Sequence, residues 1–333
     1  MTYEKIIQDI RNRVFYPIYY LHGDESFFID HICKLIDDSV LNEAEKDFNQ
    51  TVVYGRDTDV QTIISMAKRY PMMASHQVVL VKEAQHLKKV EELVSYAENP
   101  QESTILVICH KYGKLDGRKQ LAKVLKKKHV LFEAKKLYDN KIPAWISSYI
   151  QSKGYKLSPT AAMLLSEHLG SDLSKITNEV EKLFISIPKG TEINEQHIED
   201  NIGISKDFNV FELQRALGNR QVLRANQIIS YFASDPKNHP LVMIIPILFN
   251  YFANLMTIHN LKDKSQRSVA AALSINPFFV QEYMAAVRNY PYGKLFRIMH
   301  YLRQYDALAK GVDNASTSEQ DLMKELIFKI LHT

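Results

Sequence analysis

Residues 17–28 read PIYYLHGDESFF. A β-rich run over Pro17–Leu21 leads into a loop, His22-Gly23-Asp24-Glu25. The apolar spacing of Phe28, Ile32 and Leu35 then predicts a helix over Glu25–Asp37. Strand, loop, helix is the order in which a nucleotide-binding α/β domain sets out its phosphate cradle. That cradle needs glycines that let backbone N–H groups turn inward, a lysine for the terminal phosphates, and a Ser or Thr for the metal. Here one glycine, Gly23, is present and the lysine is absent. Asp24 and Glu25 would repel phosphate where a helix N-terminus should attract it, and they suit the helix dipole instead. The stretch predicts the scaffold of a nucleotide-binding domain whose phosphate loop is degenerate.

Working outward, Tyr3–Arg13 reads as a helix with Ile6, Ile7 and Ile10 on one face, and Val60–Lys68 as another that stops before Pro71. Thr51–Tyr54, Gln77–Val81, Ser103–His110 and Val130–Ala134 are further strand candidates. Their nearly continuous apolar runs suit strands covered on both faces. Alternation with helices implies a mostly parallel sheet with right-handed crossovers. The third strand runs into Lys82-Glu83. An ATPase strand ends there in acids that hold magnesium, whereas Lys82 would oppose a cation and Glu83 alone reads as a solvated strand end.

The pattern changes near Tyr138. Helices over Lys141–Lys153, from Ser158-Pro159 to Gly170, and over Ser171–Phe184 form a small helical region, with Ser158 as N-cap and Pro159 pre-set for the first turn. From Asn209 onward the chain reads as helices only, over 209–218, 221–233, 239–260, 276–289, 292–310 and 318–331. The expected organisation is an α/β domain over 1–138, a small helical domain over 139–205 and an all-helical domain over 206–333.

Composition excludes several classes. The 333 residues carry 42 Lys+Arg against 38 Asp+Glu, a net charge of +4, too even to mark a nucleic-acid binder. Cys33 and Cys109 are too few for a disulfide framework or a zinc ribbon and read as buried thiols in a reducing cytoplasm. Eleven glycines leave few places for backbone to wrap a phosphate. No apolar run is expected to reach the ~18–20 residues of a membrane span, and the charged start MTYEKIIQDIRNR does not suit a signal peptide.

Three local features invite a functional reading. In Arg69-Tyr70-Pro71-Met72-Met73-Ala74, two flexible apolar side chains follow a helix end. They suit either the core that seals that end or an exposed plug for a partner's pocket. Residues 111–128 hold eight basic residues and one acid, with Leu121, Val124 and Leu125 as an apolar stripe. The basic face is either solvated or a phosphate contact. Tyr290, Tyr292, Tyr301, Tyr305, Phe278 and Phe279 suit packing between helices. His22, His76, His110 and His129 show no metal-ligand spacing, and no nucleophile elbow is present.

Taken together and in order, these segments resemble the delta-subunit family of the bacterial DNA polymerase III clamp loader. The resemblance runs through residues 17–28, Tyr70–Val81 (YPMMASHQVVLV), Leu115–Leu121 (LDGRKQL), Leu169–Leu183 (LGSDLSKITNEVEKL), Phe208–Leu213 (FNVFEL), Tyr305–Lys310 and Asp321–Leu326. It implies an AAA+-like α/β domain, a helical lid and a helical collar. It also implies a non-catalytic subunit, with no cofactor or metal of its own, that opens the ring-shaped sliding clamp. ATP and magnesium would lie on ATP-hydrolysing partner subunits of a hetero-pentamer that also holds a delta-prime-like subunit and meets primer–template DNA at the replication fork. The implied clamp contact falls on Met72 and Met73 of a clamp-contact helix, with Tyr70 and Pro71 beside them. The family's usual Leu–Phe is replaced here by two methionines. Lys119, Lys123 and Lys127 are the DNA-proximal candidates. Competing readings are a residual nucleoside triphosphatase and a DNA-binding structural or repair factor acting through residues 111–128.

Overall fold

The computed structural model describes residues 1–204, 208–314 and 316–333. The chain forms two compact units, Met1–Leu137 and Tyr138–Thr333. In the first, strands β1 (Ile18–Gly23), β2 (Gln50–Tyr54), β3 (Gln77–Lys82), β4 (Thr104–Lys111) and β5 (Val130–Ala134) form one sheet in the order β2-β3-β4-β1-β5. Every neighbouring pair is parallel, with Ile18 opposite Leu106 and Tyr19 opposite Val130. Tyr20, Val79, Val81, Leu106 and Ile108 pack on one face against helices Val60–Ala67, Val94–Glu98 and Gln120–Lys128. The intervening residues Tyr19, Leu21, Val78, Leu80, Ile105 and Val107 are equally buried, as alternation requires for a doubly covered sheet. Helix Ser26–Val40 packs on β1, β3, β4 and β5, burying Phe28, Ile29, Ile32 and Ile36. Each fully buried aliphatic or aromatic side chain contributes about 1.5–3 kcal/mol, so this double covering carries the unit's stability.

β1 lies between β4 and β5, while the chain returns through β2 at the far edge. Open α/β sheets take ligands outside the carboxyl end of a strand at such a reversal. The topology therefore points to the loop that follows Gly23.

The predicted strands are all present. The sequence reading missed helix Glu43–Asn49, which is opened by a capping box between Asn42 and Glu45. It also missed the short turns Ala84–His86 and Val90–Leu93 and the short helix Val94–Glu98. All are too short to show an apolar period.

In the second unit, helices Ile142–Ser152, Pro159–Leu169, Leu173–Ser186 and Glu195–Ile202 accompany a two-residue parallel pairing of Lys156–Leu157 with Glu192–Ile193. Ser158 caps the second of these helices, its Oγ accepting from the Ala161 N–H at 3.1 Å. Among the described residues seven α-helices follow: Val210–Gly218, Val222–Ser234, Leu241–Asn260, Gln266–Leu273, Val280–Asn289, Tyr292–Ala309 and Glu319–Leu331. They share a core that includes Leu213, Phe232, Leu248, Phe252, Tyr290, Ile298 and Met323. Tyr290 and Tyr305 are buried, as packing predicts, while Phe278 and Tyr292 are exposed. The boundary expected at 205–206 lies outside the described residues.

One expectation needs correcting. Leu241–Asn260 is a helix of 20 residues, of which an 18-residue stretch has a mean hydropathy of 1.9, long and apolar enough to cross a membrane by length and composition. The helix itself is the one expected over 239–260, and Pro246, Asn250, Asn254 and His259 interrupt its apolar run. Leu241, Ile244, Leu248, Phe252 and Leu255 bury its apolar face in the helical core.

Candidate partner-binding surface

The place where phosphate would bind is closed by the chain itself. Gly23 ends β1 with φ at +129°, and a Cβ there would collide with the Ala134 backbone carbonyl. Only glycine tolerates both conditions. The Glu25 N–H donates to that Ala134 carbonyl at 3.1 Å, and the Tyr112 N–H donates to the Gly23 carbonyl at 2.9 Å. Glu25 is buried and caps helix Ser26–Val40, its Oε1 accepting from the Phe27 N–H at 3.3 Å. The positive end of the helix dipole thus already faces a carboxylate. Asp24 points to solvent.

At the end of β3, Lys82 is exposed. Glu83 adopts a left-handed backbone with φ at +52°, and its carboxylate lies 3.5 Å from Arg56 Nε. Among the described residues no group of three His, Cys, Asp or Glu is placed to hold a metal ion. Cys33 and Cys109 are both buried free thiols.

A second loop does the opposite. Helix Val60–Ala67 begins at Asp59, whose Oδ1 accepts from the Thr62 N–H at 2.9 Å, and buries Val60, Ile63, Ile64 and Ala67. Its last carbonyls are gathered by buried side chains from elsewhere. Ala67 O accepts from Thr104 Oγ1 at 2.8 Å and from the Tyr96 hydroxyl at 3.1 Å. Gln77 Nε2 donates to Met66 O at 3.3 Å, to Thr104 Oγ1 at 2.7 Å, and to Arg69 O. These donors satisfy carbonyls that a helix end leaves open, and Pro71 prevents the helix from resuming.

The chain then runs without regular structure to β3, and the side chains of Tyr70, Met72 and Met73 face outward. Tyr70 is 79% exposed, Met72 60% and Met73 99%. The reading of these methionines as core residues is therefore excluded. The placement on a helix is corrected too, because helix Val60–Ala67 ends five residues before Met72. Met73 sits in the left-handed region at φ +53°. Asn49, 4% exposed, grips the Met72 backbone from both sides: its Oδ1 accepts from the Met72 N–H at 2.6 Å and its Nδ2 donates to Met72 O at 2.9 Å. The neighbouring Phe48 is 71% exposed. Near the loop's end, burial pushes the His76 imidazole below its usual pKa, so the ring is neutral at pH 7.

Sequence reading found the methionines but neither Asn49 nor Gln77, which fix the loop. A lone Asn at the end of a seven-residue helix carries no periodic signal, and Gln77 reads only as the polar start of a strand.

The basic stretch is more engaged than it looks in sequence. Helix Gln120–Lys128 buries Leu121, Ala122, Val124 and Leu125. Lys111 pairs with Asp30 at 2.7 Å, Lys114 with Glu133 at 2.8 Å, Arg118 with Asp116 at 2.9 Å and Lys119 with Glu91 at 3.4 Å. The Lys114 ammonium holds the Glu133 carboxyl below its usual range, and Arg118 holds Asp116 down at about 2. Lys123 and Lys127 are exposed and have no ion pair among the described residues.

A family model for the DNA polymerase III delta subunit matches residues 19–135, and one for the C-terminal domain of the same subunit matches residues 207–328. The chain belongs to the DNA polymerase III delta-subunit family. It is 26% identical over 303 residues to DNA polymerase III subunit delta of Bacillus subtilis, covering 87% of each chain. The solved structure of the Bacillus subtilis DNA clamp loader delta protein covers 100% of both chains with a TM-score of 0.54 at 24% identity, a likeness of fold. The delta-subunit fold joins an AAA+-like parallel α/β domain to an all-helical C-terminal region, and both are present here. The closed strand-end loop and the Tyr70–Met73 loop both fall inside the N-terminal family match.

Proposed function

We propose that this delta-family chain is the clamp-opening subunit of a polymerase III clamp loader and grips a ring-shaped sliding clamp through Met72 and Met73. Within the polymerase III assembly it is a non-catalytic component. The observation that carries the reading is the exposure of both methionines on a loop whose backbone is held on both sides. A few apolar anchors in a pocket can supply most of an interface's affinity, and methionine conforms to irregular pockets. Tyr70 and Pro71 flank the anchors.

The work is mechanical. Binding shifts a clamp from closed to open only as far as the loop prefers the open form. The energy of resetting comes from ATP, held with magnesium on neighbouring ATP-hydrolysing subunits, because the loop after β1 is filled by Gly23 packing and the Glu25 cap. The helices over 139–205 act as the lid, and those over 206–333 as the collar that joins the other loader subunits, a delta-prime-like subunit among them. Lys123 and Lys127 supply free positive charge toward primer–template DNA inside the assembly.

The test is clamp binding by surface plasmon resonance with the double variant Met72→Ala/Met73→Ala. Two lost anchors of about 1–2 kcal/mol each lower the affinity about 100-fold. The melting temperature stays near that of the parent, since both side chains are exposed. Unchanged affinity in a folded double variant overturns the assigned contact. Magnesium-dependent ATP turnover by the isolated chain would instead favour the residual triphosphatase.

A further inference from the structure

We propose that Asn49 is a positioning residue that holds the Tyr70–Met73 loop in its partner-ready form before any partner arrives. The inference rests on Met72 and Met73 being the clamp contact and extends it to a residue outside the loop. Asn49 is 4% exposed, so a partner does not read it directly. Its carboxamide presents an acceptor oxygen and one N–H side by side along one edge, with the second N–H directed away from it. The acceptor takes the Met72 N–H at 2.6 Å, and Nδ2 donates to Met72 O at 2.9 Å and to Glu45 O at 3.0 Å. One side chain therefore ties the backbone of an exposed loop residue to the end of helix Glu43–Asn49.

The hold falls where the loop needs it. Gln77 and Thr104 fix the loop's entry at Ala67–Arg69, and β3 fixes its exit at Gln77. Between them lie Pro71, which has no N–H to donate, and Met73, whose left-handed backbone is disfavoured for a side chain of its shape. Asn49 meets the residue between these two. Without it, the presented conformation becomes one of several, and the apparent affinity falls by the fraction that remains competent.

This predicts a kinetic signature distinct from loss of an anchor. In Asn49→Ala the contacts made once bound are intact, so the association rate constant falls about tenfold while the dissociation rate is unchanged. In Met72→Ala/Met73→Ala the dissociation rate rises. Asn49→Asp keeps the acceptor but replaces the donors with a carboxylate facing two carbonyls, so it falls at least as far as Ala. A role in filling space alone would spare the near-isosteric Asp.

Hydrogen exchange supplies the partner-independent reading. In the wild type the Met72 amide exchanges at least tenfold slower than an unprotected amide of the same sequence, and in either Asn49 variant that protection is lost while the amides of β3 keep theirs. An unprotected Met72 amide in the wild type overturns the proposal even if no variant folds. So does full clamp association by a folded Asn49→Ala chain. If Met72→Ala/Met73→Ala binds the clamp like the wild type, the clamp-contact reading fails, and Met72 exchange reports separately on whether Asn49 holds the loop.

Discussion

Two loops of the first unit show how one scaffold turns its ends to different uses. The loop after β1 turns inward: Gly23 packs against the Ala134 backbone, and Glu25 caps the helix that follows. The loop of residues 68–76 fixes its main chain just as firmly, through Asn49 and Gln77, but sends Tyr70, Met72 and Met73 into solvent. Both are built from satisfied hydrogen bonds. They differ in what remains available to another molecule, which is the Asp24 carboxylate in the first and an apolar tip in the second. Loss of a phosphate cradle is here not loss of order. The position where a small anion would sit is structural, and the surface proposed as the partner contact is the exposed tip.

The largest effect is expected from Gly23→Ala. If the loop is closed by backbone packing, the new Cβ meets the Ala134 carbonyl in a conformation that disfavours side chains, and the chain loses about 3 kcal/mol or more in urea unfolding. A neutral substitution would show the loop to be open rather than closed by backbone packing. The methionine double variant is the mirror image, with about 100-fold weaker clamp binding and less than about 1 kcal/mol of stability lost. One loop should fail in folding and the other in binding.

Much of this is legible in the sequence. Near-continuous apolar runs gave the parallel sheet, because strands covered on both faces need no polar positions. Asp24, Glu25 and Lys82 mark a nucleotide-binding scaffold without its chemistry, because each departs from a residue type the chemistry requires. The outward direction of Met72 and Met73 was not legible. Two methionines after a helix end suit core and surface equally, and the decision is made by Asn49, 23 residues away in sequence, and by Gln77 and Thr104 from two strands. The apolar character of Leu241–Asn260 is not legible as one run, because Pro246 and scattered amides interrupt it, although Leu241, Ile244, Leu248, Phe252 and Leu255 line one buried face.

A smaller effect sharpens the first loop. Glu25→Ala removes the side-chain cap of helix Ser26–Val40 and costs about 1 kcal/mol, measured by thermal or urea unfolding. If Glu25 alone kept anions out, the variant would acquire ATP binding by equilibrium dialysis. The expected result is none, because the Gly23 turn still directs the Glu25 N–H to Ala134 O, and no lysine is supplied for the terminal phosphates.

The smallest effect carries the same distinction, engaged against available, to helix Gln120–Lys128. Lys119 is held 3.4 Å from Glu91, whereas Lys123 and Lys127 are exposed without an ion pair among the described residues. Exposed lysines contribute little to folding, so Lys123→Ala/Lys127→Ala should shift stability by less than about 0.5 kcal/mol. If both approach DNA phosphates in the assembled loader, each releases a counterion on binding. The double variant then lowers the slope of log affinity against log salt by up to about 1.8. Lys119→Ala should lower it less, because a lysine already paired with a carboxylate displaces fewer counterions from DNA. Equal slopes for parent and double variant would make this face a solvated one and leave the methionine tip as the available surface of the first unit.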